Sequence, residues 1–177
     1  MGGRAKAIVV MGPSGVGKTT TAMVLAARLG WPYAEGDDFH PLENIAKMSA
    51  GIPLQDADRE PWLAAIRDWI DEQARGGASV VVTCSALKRR YRDILRQADV
   101  DLCFLFLAAD QLLVGERVAR RAGHYMPPSL LASQFGDLEP LQADEPGIFV
   151  TVDKAPEAVA EEALLRLAER GWAVKPV

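Results

Sequence analysis

The sequence is poor in the residues that build disulfide frameworks and all-protein metal sites. It has two cysteines, Cys84 and Cys103, and two histidines, His40 and His124. Each cysteine falls inside an apolar, strand-like run, which fits a buried free thiol and excludes a secreted disulfide scaffold. The lack of any His and Cys cluster excludes a structural zinc site. No apolar stretch approaches the roughly 20 residues that span a bilayer. Met1–Lys6 is short and leads straight into the first strand, so no leader is legible and a soluble cytoplasmic protein is expected. Excess positive charge is also missing. Lys and Arg number 20 against 24 Asp and Glu, a net charge of −4, which argues against broad attraction to nucleic acid or an anionic membrane. There is no internal repeat and no low-complexity tract. What remains is the composition of a folded chain, 49% apolar and 25% charged over 177 residues, with the length of one domain.

Against this background one segment stands out. Gly12–Thr19 reads Gly-Pro-Ser-Gly-Val-Gly-Lys-Thr and satisfies the phosphate-loop pattern G-x-x-x-x-G-K-[ST] at every fixed position, directly after the apolar run Ala7–Met11. A glycine-rich turn between a buried strand and a helix N-terminus points backbone N–H groups inward, where they surround a polyphosphate. Gly12, Gly15 and Gly17 permit that path, and Pro13, Ser14 and Val16 fill the variable positions. Lys18 is expected to neutralise the β- and γ-phosphates, Thr19 to offer its hydroxyl to Mg²⁺, and Thr20 to follow at the phosphate end of the helix.

Short β-branched runs alternate with longer amphipathic segments, the signature of parallel strands joined by helical crossovers. Strands are predicted at Ala7–Met11, Tyr33–Glu35, Val80–Cys84, Leu102–Leu107 and Ile148–Val152. Together they predict a five-stranded parallel sheet flanked by helices. Helices are predicted from Lys18 to Leu29 with Gly30 closing, from Asp58 to just before Gly76, and over Lys88–Ala98, Asp110–Ala122 and Ala155–Arg170.

Ligands in such folds bind at the carboxyl ends of the strands. After the second strand comes the acidic cluster Glu35-Gly36-Asp37-Asp38-Phe39-His40. A carboxylate there can accept the proton of an attacking hydroxyl or hold Mg²⁺ through water, although a solvated acidic turn uses the same residue types. Continued extended backbone would point Glu35 and Asp37 the same way. We assign Glu35 to the outer shell of the metal and Asp37 to the base. After the third strand, Ser85 and Lys88 read as part of the site floor, whereas Arg89, Arg90 and Arg92 read as the solvated N-terminal half of a helix. Further on, Arg117 and Arg121 are four apart and share a helix face, which is either solvated or the face of a lid. A lid arginine would counter charge on a transferred phosphoryl group and exclude water. Gly123, Pro127 and Pro128 read as its hinge side.

Several ordered blocks then carry a family resemblance. They are Asp37-Asp-Phe-His-Pro41, Asn44-Ile-Ala-Lys-Met48, Pro53–Leu63, Cys84-Ser-Ala-Leu-Lys88, Arg117-x-x-x-Arg121-x-Gly-His124, Ser133-Gln-Phe135 and Leu138-Glu-Pro140. As a set they resemble the gluconokinases over most of the chain. The resemblance implies an adenylate-kinase-like phosphate-loop fold, a single domain over 1–177 with a small helical lid around 117–136, and ATP with Mg²⁺. It further implies phosphorylation of D-gluconate at its 6-hydroxyl, and a homodimer. Asp37 matches the acidic residue near the acceptor hydroxyl, Arg117 and Arg121 match the lid arginines, and Arg120 has no clear counterpart. His40, Arg59 and Lys88, with Ser85 and His124, become candidates for holding the sugar acid. A sugar acid needs a cation for its carboxylate and small polar groups for its hydroxyls. Arg59 is assigned to the carboxylate, with a purely structural salt bridge after Asp56 and Asp58 as the alternative. Tyr125 stands where phenylalanine is usual. The adenine is expected near Arg117 and Asp153–Pro156. A shikimate-kinase-like or adenylylsulfate-kinase-like activity, or a nucleotide-dependent switch module, are the rival readings.

Overall fold

In a computed structural model, which describes residues 3–109 and 128–172, the β-branched runs pair as five parallel strands. These are β1 (Lys6–Met11), β2 (Tyr33–Ala34), β3 (Val80–Thr83), β4 (Asp101–Ala108) and β5 (Gly147–Thr151), in the order β2-β3-β1-β4-β5. β1 lies at the centre, Val9 sitting opposite Val82 of β3 on one side and Phe104 of β4 on the other. Parallel neighbours require crossovers, and helices accordingly cover both faces of the sheet. They are α1 (Lys18–Leu29), α2 (Leu42–Ser49), α3 (Asp56–Arg75), α4 (Arg89–Leu95), α5 (Pro128–Asp137) and α6 (Pro156–Glu169).

The strand pleat divides β1 between two cores. Ile8 and Val10 pack with Leu25 of α1 and Leu167 of α6. Ala7, Val9 and Met11 pack with Trp62, Leu63, Ile66 and Ile70 of α3 and Leu95 of α4. With both faces covered, β1 has no need of polar alternation, and its sequence shows none. Cys84 and Cys103 are free and buried, as expected. No helix among the described residues is long and apolar enough to cross a membrane.

Several sequence expectations are corrected. β2 ends at Ala34, and the chain turns into a single 3₁₀ turn over Gly36–Phe39. The extended path that would aim Glu35 and Asp37 alike therefore stops at Glu35. Helix α3 begins two residues early, because Gln55 precedes it and Asp58 acts from inside the first turn, its carboxylate accepting the Gln55 N–H at 2.9 Å. Helix α2 has no counterpart among the predicted elements. The predicted helix Asp110–Ala122 lies outside the described residues. So does most of the lid segment 117–136, of which α5 alone is described.

The largest correction concerns Arg92. It is fully buried and not solvated, pairing with buried Glu145 through Nε at 2.9 Å and donating Nη1 to the carbonyls of Ala86 (2.9 Å) and Leu87 (3.2 Å). Arg90 faces solvent and pairs with Asp56, whereas Arg89 is half-buried and pairs with Asp144. Ala86 has a φ of 45°, the left-handed region that disfavours a side chain. Arg92 thus clamps the strained exit of β3, which carries Ser85.

Candidate active site

The carboxyl ends of β1, β2 and β3 bring the phosphate loop, the Glu35–Asp37 segment and the Ser85 segment side by side. The loop is held to the β3 exit by the Gly12 N–H, which donates to the Ser85 carbonyl at 3.1 Å. Gly12 has a φ of 140°, and a Cβ there would stand 3.0 Å from Val16 Cγ2 and 3.1 Å from the Leu107 carbonyl. Only glycine fits both demands. Buried Val16 anchors the loop in the core, and Gly17 hands the chain to α1, whose first N–H groups face outward at the positive end of the helix. Lys18 Nζ lies along the loop, donating to the carbonyls of Gly12 (2.9 Å) and Pro13 (3.0 Å). The Ser14 N–H donates to Gln134 Oε1 of α5 at 2.7 Å, joining the loop to a segment 120 residues away.

Glu35 collects three hydroxyl donors. Its Oε2 accepts from Thr19 (2.7 Å) and Tyr33 (2.5 Å), and its Oε1 accepts from Thr83 (2.6 Å). Burial alone would raise the pKa of this carboxyl, but the three hydroxyls and the Lys18 charge outweigh burial and hold it below the ordinary value. Glu35 is therefore a stable anion beside the loop. It also raises the pKa of Tyr33, on which burial acts first.

Asp37 stands on the other side of Gly36 and opens into the cleft, its side chain 79% exposed. Its pKa is nevertheless raised: desolvation by the cleft walls acts first and the charges of Glu35 and Asp38 add to it, against an opposing pull from Lys18. The turn that separates the two carboxylates is built on Gly36. A Cβ there would lie 1.9 Å from the Thr83 carbonyl oxygen, an overlap no packing change can absorb. The Gly36 N–H donates to Thr83 Oγ1 at 2.9 Å, and its carbonyl accepts from Trp62 Nε1 at 2.7 Å. His40 stacks on that indole with ring centroids 4.1 Å apart and planes at 14°. Burial, with the Arg59 charge nearby, brings the His40 pKa down to about 4, so its ring is neutral at physiological pH.

These groups surround a cavity of about 310 Å³. Ser14, Lys18, Asp37, His40, Arg59 and Ser85 line it, so six of the sequence-predicted residues converge on one space. Thr19 and Glu35 adjoin it through their mutual bond. Arg59 lines the cavity, and the alternative reading, a salt bridge to Asp56 or Asp58, does not form. Its Nη1 donates to Tyr91 Oη at 2.9 Å and lies 3.7 Å from Asp137, the last residue of α5. Lys88 turns toward Asp56, at 3.2 Å, and does not line the cavity. Arg117, Arg121 and His124 lie outside the described residues.

Sequence reasoning assigned no site role to Gly36, Thr83, Trp62, Asn44 or Gln134. Thr83 left a signal, a lone hydroxyl ending the apolar strand Val80–Thr83. Trp62 left none, because a tryptophan on the apolar face of a helix reads as core, and Trp62 is core as well.

The chain is similar to known proteins over most of its length. Residues 8–139 match the AAA domain family. The gluconokinase of Gluconobacter oxydans is 50% identical over 93% of this chain and 92% of its own length. A sugar kinase structure from Janibacter sp. superposes with a TM-score of 0.89 at 46% identity, covering 97% of this chain and 98% of that one. A gluconokinase structure from Sinorhizobium meliloti superposes with a TM-score of 0.84 at 45% identity, covering 94% and 95%. With a phosphate loop and an anchored acidic exit beside one cavity, and with this similarity over nearly its full length, the chain belongs to the gluconokinase family.

Proposed function

We propose that the protein is an ATP-dependent gluconokinase that transfers the γ-phosphoryl group to the 6-hydroxyl of D-gluconate, giving 6-phospho-D-gluconate and ADP. The observation that carries this reading is the placement of Lys18 and Asp37 on one cavity, where His40, Arg59 and Ser85 add polar and cationic groups to a wall that is otherwise largely apolar, with Ile45, Ile52 and Leu54. A donor site and an acceptor site thereby open on one space, the arrangement that direct in-line transfer needs.

The loop N–H groups of Gly12–Thr19 hold the phosphates, and Lys18 swings from the loop carbonyls to counter their charge. Arg59, cationic and set in the wall, receives the gluconate carboxylate, and His40 and Ser85 bond its hydroxyls. Asp37 takes the proton of the attacking hydroxyl. Arg117 and Arg121 close over the phosphates as the lid, with Arg117 near the adenine, and exclude water.

The residues present suit Mg²⁺. Thr19 gives its proton to Glu35 and so turns its lone pairs toward a cation, with the Glu35 carboxylate 2.7 Å away to bind the ion's water. Mg²⁺ keeps several waters and takes phosphate oxygens, so it needs no protein cage, and no group of three or more candidate ligands occurs among the described residues. When bound, it supplies positive charge across the β- and γ-phosphates.

An assay of ADP release with gluconate, other sugar acids and shikimate tests the proposal. Stoichiometric 6-phosphogluconate supports it, and ATP turnover indifferent to any sugar acid overturns it in favour of a switch. The Gly36→Ala variant is expected to push Asp37 from its place and lower kcat with gluconate roughly 100-fold, since displacements near 1 Å cost about that much. Steady-state kinetics beside a thermal melt separate this loss from unfolding.

A further inference from the structure

Asn44 belongs to a sequence block that carried the family resemblance but received no role, and the structure buries it, at 3% exposure, behind the cleft. Its Nδ2 lies 2.8 Å from the Asp58 carbonyl and 3.1 Å from His40 Nδ1. A backbone carbonyl can only accept, so the amide atom facing it is the NH₂ group, and the orientation of the amide follows from the backbone of α3. The second N–H of that group then meets His40 Nδ1, which must present a lone pair. A neutral imidazole with a bare Nδ1 carries its proton on Nε2. That nitrogen looks toward the cleft, 3.9 Å from Asp37 Oδ1.

We infer that Asn44 is a positioning residue that holds His40 as its neutral Nε2–H tautomer, so that the ring presents a hydrogen-bond donor beside the carboxylate of Asp37. The ring is held on one face and at Nδ1. Trp62 stacks on its face, and its side chain is only 4% exposed. The charged groups around it are Arg59, which opposes a second proton, and Asp37.

The separation of 3.9 Å is too long for a direct hydrogen bond and suits one oxygen bonded to both groups. A hydroxyl has one proton and two lone pairs. Resting on the kinase reading above, the acceptor hydroxyl gives its proton to Asp37 and takes one hydrogen bond from His40 Nε2, which leaves its second lone pair aimed at the phosphorus. The opposite tautomer would set a lone pair against a carboxylate and leave the hydroxyl without a donor. Asn44 thus sets the direction of attack without touching the substrate.

The test is ¹⁵N NMR of the full chain labelled at histidine, with the two resonance sets assigned through His124→Gln. Wild-type His40 at neutral pH is expected to show a protonated Nε2 and a bare Nδ1. A proton on Nδ1, or a doubly protonated ring, overturns the inference whatever the substrate proves to be. Asn44→Asp replaces the donor by an acceptor and is expected to move the proton to Nδ1, and Asn44→Leu, which removes the constraint without adding charge, to mix the tautomers. Either variant, where folded, is expected to lower kcat/KM for gluconate roughly tenfold with KM for ATP unchanged, the loss of about one hydrogen bond. Folded variants that keep both the Nε2–H signature and wild-type kcat/KM overturn the role of Asn44. An Nε2–H ring in a protein that does not phosphorylate gluconate would instead sink the kinase reading and leave the tautomer assignment standing.

Discussion

Lys18→Ala is expected to lose at least roughly 10³-fold in turnover while the protein stays folded. The Lys18 side chain bonds the loop carbonyls of Gly12 and Pro13 at the surface of the cleft and is not part of either apolar core. Its removal opens no core cavity, so the thermal midpoint should stay close to that of the wild type. What disappears is the charge that opposes the negative charge of the phosphates in the transition state, inside a site whose walls exclude part of the water. A coupled assay of ADP release, run beside a thermal melt, checks both halves of the expectation. Turnover near the wild-type level would remove the nucleotide from the site altogether.

Asp37→Asn is the second large effect. A general base contributes about 10²- to 10⁴-fold, so kcat with gluconate should fall by that range while ATP binding, read by isothermal titration, is largely retained. The pH profile gives an independent check. A base works deprotonated, so wild-type kcat/KM falls as pH drops through the pKa of Asp37. Desolvation by the cleft walls, with Glu35 and Asp38, raises that pKa, which places the acid limb above the usual aspartate range. The limb should vanish in Asp37→Asn. Linkage also has a definite sign here. A carboxyl whose folded pKa exceeds its unfolded value binds protons more tightly when folded, so its contribution to stability declines as pH rises through that window. The Asp37 side chain is 79% exposed, so solvent screens most of this effect, and Asp37→Asn should melt close to the wild type. An unchanged kcat would take the base role away from Asp37.

Both variants act on residues that sequence reasoning had already picked out, and the reason is locality. The path of Gly12–Thr19 depends on glycines within a few positions of one another, and the burial of β1 on the run Ala7–Met11 itself. A chemical motif of this kind carries its geometry with it. The strand and helix pattern was legible on the same ground, because the periodicities of 2 and 3.6 are properties of neighbouring residues. The buried thiols followed from the apolar runs around Cys84 and Cys103.

Other features could not be read in this way. Arg92 stands in a run of four basic residues out of five, Lys88–Arg92, where a solvated face is the natural reading. Its burial depends on Glu145, 53 residues on, and on two carbonyls at the exit of β3. For Arg59 the sequence left a salt bridge to Asp56 or Asp58 open beside the carboxylate role, and only the packing of the helix, which turns it toward Tyr91 and Asp137, closes that alternative.

By itself, then, the sequence determined the donor half of this protein: a strand, a glycine-rich turn and a helix N-terminus that bind phosphate wherever they fold. It also determined, through its ordered blocks, the family to which the chain belongs. Tertiary structure alone decided how the acceptor half, whose residues the sequence had named in Asp37, His40, Arg59 and Ser85, is arranged. Gly36 has to be glycine because the Thr83 carbonyl lies where its Cβ would be, His40 is neutral because Trp62 and Arg59 enclose it, and Asn44 reaches it because Asp58 turns the amide. Each of these facts joins residues from different elements. Side-chain identity sets what a group can donate or accept, but which partner it meets depends on crossovers that bring distant segments to the same end of one sheet.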